Sequence, residues 1–124
     1  MGILTLIRRY RSRDSIKAID CGMEGLNNSL SWINMLRWRI VRMEEFEGKA
    51  DMLRMVEDMR FLAEDSLRRM ARCRILYEKG EPQSAAMLWR PVPGQLELVN
   101  RKCEEFEAFR TKICELGGAD FAPV

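Results

Sequence analysis

Apolar side chains recur at every third or fourth position through most of the chain, and this spacing constrains the fold more than any other feature of the sequence. Alternation with a period of two would indicate strands, whereas this spacing places the residues on one side of an α-helix. We therefore predict an all-α protein. The clearest run has separations of 3, 4, 3, 4 and 3 residues, the heptad spacing of a coiled coil: Ile16, Ile19, Met23, Leu26, Leu30 and Ile33.

Glycine and proline divide this pattern into three main long helices, which we expect to pack as an antiparallel helical bundle or hairpin. The sequence allows two starts for the first helix, because weak helix formers such as Gly22 and Gly25 allow a break between residues 21 and 28. Gly48 is the expected turn before the second helix, although one helix through it is the alternative. The predicted ranges are about 14–47 (or 29–47 if the break exists), 49–79 and 95–116, with a short helix near 82–89.

Prolines also predict the connections between the helices. Pro82 can start the short helix, while Pro91 and Pro93 predict a rigid extended turn over residues 91–94. A chain of 124 residues fits one domain with a modest core. We assign residues 14–116 to a single helical domain, between a basic and apolar segment at 1–13 and a tail at 117–124.

Residues for most catalytic and metal-binding chemistry are missing from the sequence. The chain has no His, its four Cys form no C-x-x-C pair, and no glycine-rich phosphate loop occurs. Glu44 and Glu45 are the nearest approach to a carboxylate pair, but adjacent helical positions diverge by about 100°. We predict a protein that is not an enzyme, with no cofactor, no metal and no small-molecule substrate.

The cysteines and the N-terminal residues indicate the cellular compartment of the protein. Scattered Cys residues are typical of small buried side chains in a reducing compartment, so we expect an intracellular protein. The longest uncharged run, residues 25–36, has twelve residues, fewer than the ~20 apolar residues that a membrane span requires. The Arg-rich, acid-poor beginning of the chain leaves a mitochondrial location open.

Residues 29–47 carry the strongest indication of a binding surface. On a helical projection their apolar residues cover about half the circumference, which is more than one neighbour requires. Arg37 lies inside that arc and Trp38 outside it. We therefore predict a non-catalytic structural or assembly protein that self-associates or is a small subunit of a larger complex, with these partner-interface candidates: Trp32, Leu36, Arg37, Trp38, Arg39 and Trp89.

Two alternatives rest on clusters of arginine. Arginines beside an aromatic ring suit RNA or other nucleic acids, and this combination occurs twice, around Tyr10 and around Trp38. Residues 1–13 also suit a membrane surface, with apolar residues in lipid and arginines at anionic headgroups, or a terminal segment that covers the core. The candidates for a nucleic-acid or membrane surface are Arg8, Arg9, Tyr10, Arg11, Arg13, Arg68, Arg69 and Arg72.

Overall fold

The computed structural model describes residues 13–115, and all regular secondary structure in that range is α-helical. The all-α prediction is confirmed. The short helix has the predicted ends, whereas the ends of the long helices differ. The four helices are α1 (Arg13–Arg42), α2 (Lys49–Glu78), α3 (Pro82–Trp89) and α4 (Val92–Glu115).

Helix α1 is continuous, so the break considered between residues 21 and 28 does not occur. Gly22 is explained by helix packing: a Cβ atom there would lie 2.6 Å from Cε of Met70 on α2. A small residue at this point lets the two helices approach closely. Gly25 has no such neighbour, and Asn27 and Asn28 are exposed. Packing on α2 therefore outweighs the low helix propensity of this stretch.

The first helix ends five residues earlier than predicted, because the chain turns after Arg42. The Lys49 ammonium donates a hydrogen bond to the Met43 carbonyl oxygen at 2.6 Å and so ties the start of α2 to the end of α1. Gly48 has φ 97°, a left-handed conformation that favours glycine, and it immediately precedes α2. The predicted turn at Gly48 is confirmed.

Helices α1 and α2 form an antiparallel hairpin that two ion pairs join at separate points. Arg37 pairs with Glu57, and Arg74 pairs with Asp20 through an Nε–Oδ1 distance of 2.5 Å. The partner positions run in opposite directions along the two helices, as antiparallel packing requires. Each pair is substantially exposed, so these contacts fix the register more than they stabilise the fold.

A glycine turn carries the chain from α2 to α3. The Glu81 amide donates to the Leu76 carbonyl and the Gly80 amide to the Tyr77 carbonyl, which is the Schellman arrangement. Gly80 has φ 75°, as this motif requires at the first residue past the helix cap. Helix α3 then packs on α2, where the buried Cys73 thiol donates to the Ala85 carbonyl oxygen at 3.3 Å.

The prediction of an extended turn over residues 91–94 is wrong, because α4 begins at Val92. Pro93 lies in the first turn of α4, where a backbone N–H has no intrahelical partner and a proline is tolerated. The fully buried Val92 anchors this turn in the core. The connection between α3 and α4 therefore consists of Arg90 and Pro91 alone.

Helix α2 lies at the centre of the protein and packs against each of the other three helices. Its buried face consists of apolar residues from Met52 to Met70, together with Ser66 and Cys73. The largest fully buried side chains come from α1, α2 and α4, which places the core between these three helices: Phe106, Ile33, Leu36, Ile40, Met52, Met59, Met70, Val56 and Val92.

Candidate protein-binding surface

The C-terminal half of α1 exposes a group of apolar residues on the side that faces away from α2. Trp38 is 55% exposed, Val41 49% and Met35 43%. At 100° per residue, Trp38 lies about 140° around the helix from the buried Ile33. These three residues are spaced by three positions and adjoin Arg42. We call Met35, Trp38, Val41 and Arg42 the Trp38 patch.

Arg42 orders the centre of this patch. Its guanidinium carbon lies 4.0 Å from the centroid of the Trp38 ring, and one guanidinium nitrogen donates to the Trp38 carbonyl oxygen at 3.3 Å. A cation over an indole face is attracted by the ring quadrupole. The indole is thus held in place on the surface while more than half of it contacts solvent, which reduces the conformational entropy that a partner would have to restrict.

The other arginines of this region have different environments. Arg37 lies at the edge between α1 and α2, where its ion pair with Glu57 satisfies the charge within the fold. Arg39 is partly buried and takes part in an interaction of its own, so it is not a free surface cation. The structure therefore explains Arg37 without any partner, whereas Trp38 on the outer face has no packing role in the core.

Three of the predicted interface residues lie in the core or pack against it. Leu36 is 1% exposed and is a core residue, so its side chain is not on the surface in this conformation. Trp32 and Trp89 are partly buried and pack against the core. Sequence reasoning missed Met35 as a neighbour of Trp38, although its position three residues earlier on the same side of the helix is a usable signal.

The arginines on α2 are extensively paired. Asp65 accepts a hydrogen bond from Arg69 at 3.1 Å and lies 3.6 Å from a guanidinium nitrogen of Arg68. Gln95 on α4 also donates to Asp65, at 2.9 Å, and together with Arg69 it lowers the pKa of this carboxyl. Arg72 is exposed. This self-neutralised face is a poor match to a phosphate backbone.

Among the N-terminal candidates, Arg13 is exposed at the start of α1. Arg8, Arg9, Tyr10 and Arg11 lie outside the described residues. The nucleic-acid and membrane-surface interpretations of this segment stay predictions. In residues 13–115, no helix has the length and apolar character needed to cross a bilayer.

Small cavities occur among the described residues. One of about 170 Å³ opens between α1, α2 and α3 and is lined by Ser15, Ala18, Ile19, Tyr77 and Trp89. It contains no cluster of charged groups. Over the same described range, no group of three or more metal-ligating side chains comes together. Burial raises the pKa of the Cys73 thiol, which disfavours the reactive thiolate form of this cysteine.

Comparison with known proteins adds no family: no protein-family model, no curated protein and no solved structure matches this chain. The Trp38 patch differs from the other exposed apolar residues in that it combines three apolar side chains with an ordered cation.

Proposed function

We propose that this protein is a non-catalytic helical interaction protein that binds another protein through the Trp38 patch, either by self-association or as a small subunit of a larger assembly. The observation that carries the proposal is the exposure of Trp38 beside Met35 and Val41. The core closes beneath α1 without these side chains. Their apolar area is thus left for another surface to cover.

The composition of the patch also supports a protein partner. Tryptophan, methionine and arginine are enriched at protein interfaces, and tryptophan and arginine dominate the residues whose truncation weakens binding most. The ordered stack of Arg42 on Trp38 joins two of these types in one rigid unit. Helix faces that present side chains at intervals of three and four residues are a common means of recognition between helical proteins.

The proposal places the protein in a reducing, intracellular compartment. The four cysteines are free thiols, and Cys73 is a fully buried member of the core. A thiol used as a small apolar side chain is typical of proteins that are not exposed to oxidising conditions.

The test compares Trp38→Ala with Phe61→Ala in recovery of the native complex. Phe61 is a matched control, because it is also an exposed aromatic residue, 66% exposed, but lies on the outer face of α2. Both substitutions remove surface side chains and should change the free energy of unfolding by only about 0.5 kcal/mol. Circular dichroism on each purified variant checks that the fold is kept.

We expect Trp38→Ala to weaken the affinity for the partner about thirtyfold, the effect of a hot-spot residue worth about 2 kcal/mol, and so to lower the amount of co-purified partner. Phe61→Ala should recover the wild-type amount. Equal recovery with both variants, at equal folded protein, would show that the Trp38 patch is not the binding surface.

A further inference from the structure

The outer face of α1 has a second heptad-spaced row of residues, on the side opposite the core. The row begins in the N-terminal half of the helix and ends within the Trp38 patch. All six members are exposed. Their separations are 4, 3, 4, 3 and 4 residues, which keeps them in line along the helix. We call this row the outer seam: Glu24, Asn28, Ser31, Met35, Trp38 and Arg42.

The two ends of the outer seam are chemically opposite. The N-terminal half has a carboxylate, Glu24, followed by the short polar residues Asn28 and Ser31. The C-terminal half has the large side chains of Met35 and Trp38, followed by the cation Arg42. Glu24 has no ion-pair partner within residues 13–115, and Arg42 is held over Trp38 rather than by a carboxylate.

A row of this kind is complementary to itself in one orientation only. If two copies of α1 lie antiparallel with their centres near residue 33, Glu24 of each copy faces Arg42 of the other. Trp38 then faces Asn28, and Met35 faces Ser31. Large residues meet short ones, opposite charges meet at both ends, and two-fold symmetry repeats every contact. A parallel arrangement would instead place like charges opposite each other.

We propose that the partner of the Trp38 patch is a second copy of this chain, bound through the antiparallel outer seams of two α1 helices. The contact extends from Glu24 to Arg42, a length of about 27 Å at 1.5 Å per residue. Nothing in the hairpin blocks it, because α2 packs on the opposite face of α1. This inference rests on the proposed function and identifies its partner.

The experiment measures the dimer dissociation constant by sedimentation equilibrium at low salt, where exposed charges are least screened. The variants are Glu24→Arg, Arg42→Glu and the double variant with both substitutions. Each single substitution creates two like-charge contacts in an antiparallel dimer. The double variant restores both contacts with the charges exchanged. Arg54→Glu is the matched control, since Arg54 is 71% exposed on α2 and the same charge is reversed.

We expect the wild-type protein to dimerise and each single reversal to raise the dissociation constant at least about tenfold. The double variant should bind more tightly than either single variant but less tightly than wild type, because Arg42→Glu also removes the cation over Trp38, and Arg54→Glu should stay within about threefold of wild type. In a parallel pairing the double variant would not regain affinity, because each substituted residue would face the identical residue of the other copy and the like charges would remain.

Two results overturn the inference. One is a wild-type protein that stays monomeric at the highest concentration measured. The other is a double variant as weak as the weaker single variant, with all variants folded by circular dichroism. Recovery of a different protein that still depends on Trp38 would then leave the proposed function standing while the second copy is rejected. Loss of both dimerisation and Trp38-dependent recovery would reject both.

Discussion

Gly48 allows the sharpest test of the fold, because replacing it by alanine combines two separate costs. Its φ of 97° is left-handed, which disfavours a residue with a Cβ atom by about 1–2 kcal/mol. A Cβ there would also lie 2.7 Å from Cδ1 of Ile113 and 3.2 Å from Cζ of Phe109. Displacing these α4 side chains should cost about 1–3 kcal/mol.

The restricted unfolded state of an alanine variant offsets about 0.4–1 kcal/mol of this. We therefore expect Gly48→Ala to lower the free energy of unfolding by about 2–3 kcal/mol, and Tm by about 10 °C for a domain of this size. The measurement is urea and thermal unfolding followed by circular dichroism at low protein concentration. The effect is large for a residue outside the helices because alanine at this position would have both an unfavourable backbone conformation and a steric clash with α4.

Gly25→Ala is the matched control, because it makes the same chemical change where the structure leaves open space. Gly25 lies inside α1 with helical geometry, so alanine should stabilise the protein by about 0.5–1 kcal/mol. A Gly48→Ala variant with wild-type stability, measured beside a stabilised Gly25→Ala variant, would refute the described packing of the α1–α2 connection against α4.

Two further predictions concern titratable groups. The pKa of Asp65 is lowered by Gln95 and Arg69, so Asp65 stabilises the fold above its unfolded pKa of about 3.9, and this stability is lost as the pH falls through the depressed folded value. The free energy of unfolding should thus fall less between pH 6 and pH 3 in Gln95→Ala than in wild type, and an unchanged pH dependence would contradict the role of Gln95. Thiol labelling of the native protein should modify the exposed Cys21 rapidly and the buried Cys73 only after unfolding, so equal labelling rates would contradict the burial of Cys73.

The periodicity of the sequence predicts the buried faces because it depends only on local geometry. Ile19, Leu26 and Ile33 are spaced so that any helix through them has one apolar side, and all three are buried. The separate helices follow from Gly48 and Gly80, whose positive φ angles suit turns. These features are fixed by residues close together in the chain, and no knowledge of the neighbouring helices is needed.

The helix ends and the binding surface depend on distant residues and are predicted less well. The end of α1 at Arg42 involves the hydrogen bond from Lys49 to Met43, which the sequence pattern does not reveal. The same limit applies to the aromatic candidates. The helical projection separates Trp38 from the apolar arc, but the packing of α1 on α2 is needed to show that Trp32 packs on the core while Trp38 remains on the surface.

The central position of α2 has a consequence for how the protein opens. Since α1, α3 and α4 all pack against α2, each outer helix can separate locally while the other two still cover part of α2. Backbone amides near Met59 and Ala63 would then reach solvent only when the whole protein unfolds, and their hydrogen exchange should report the global free energy of unfolding. Amides of α3, the shortest helix, should exchange through smaller openings.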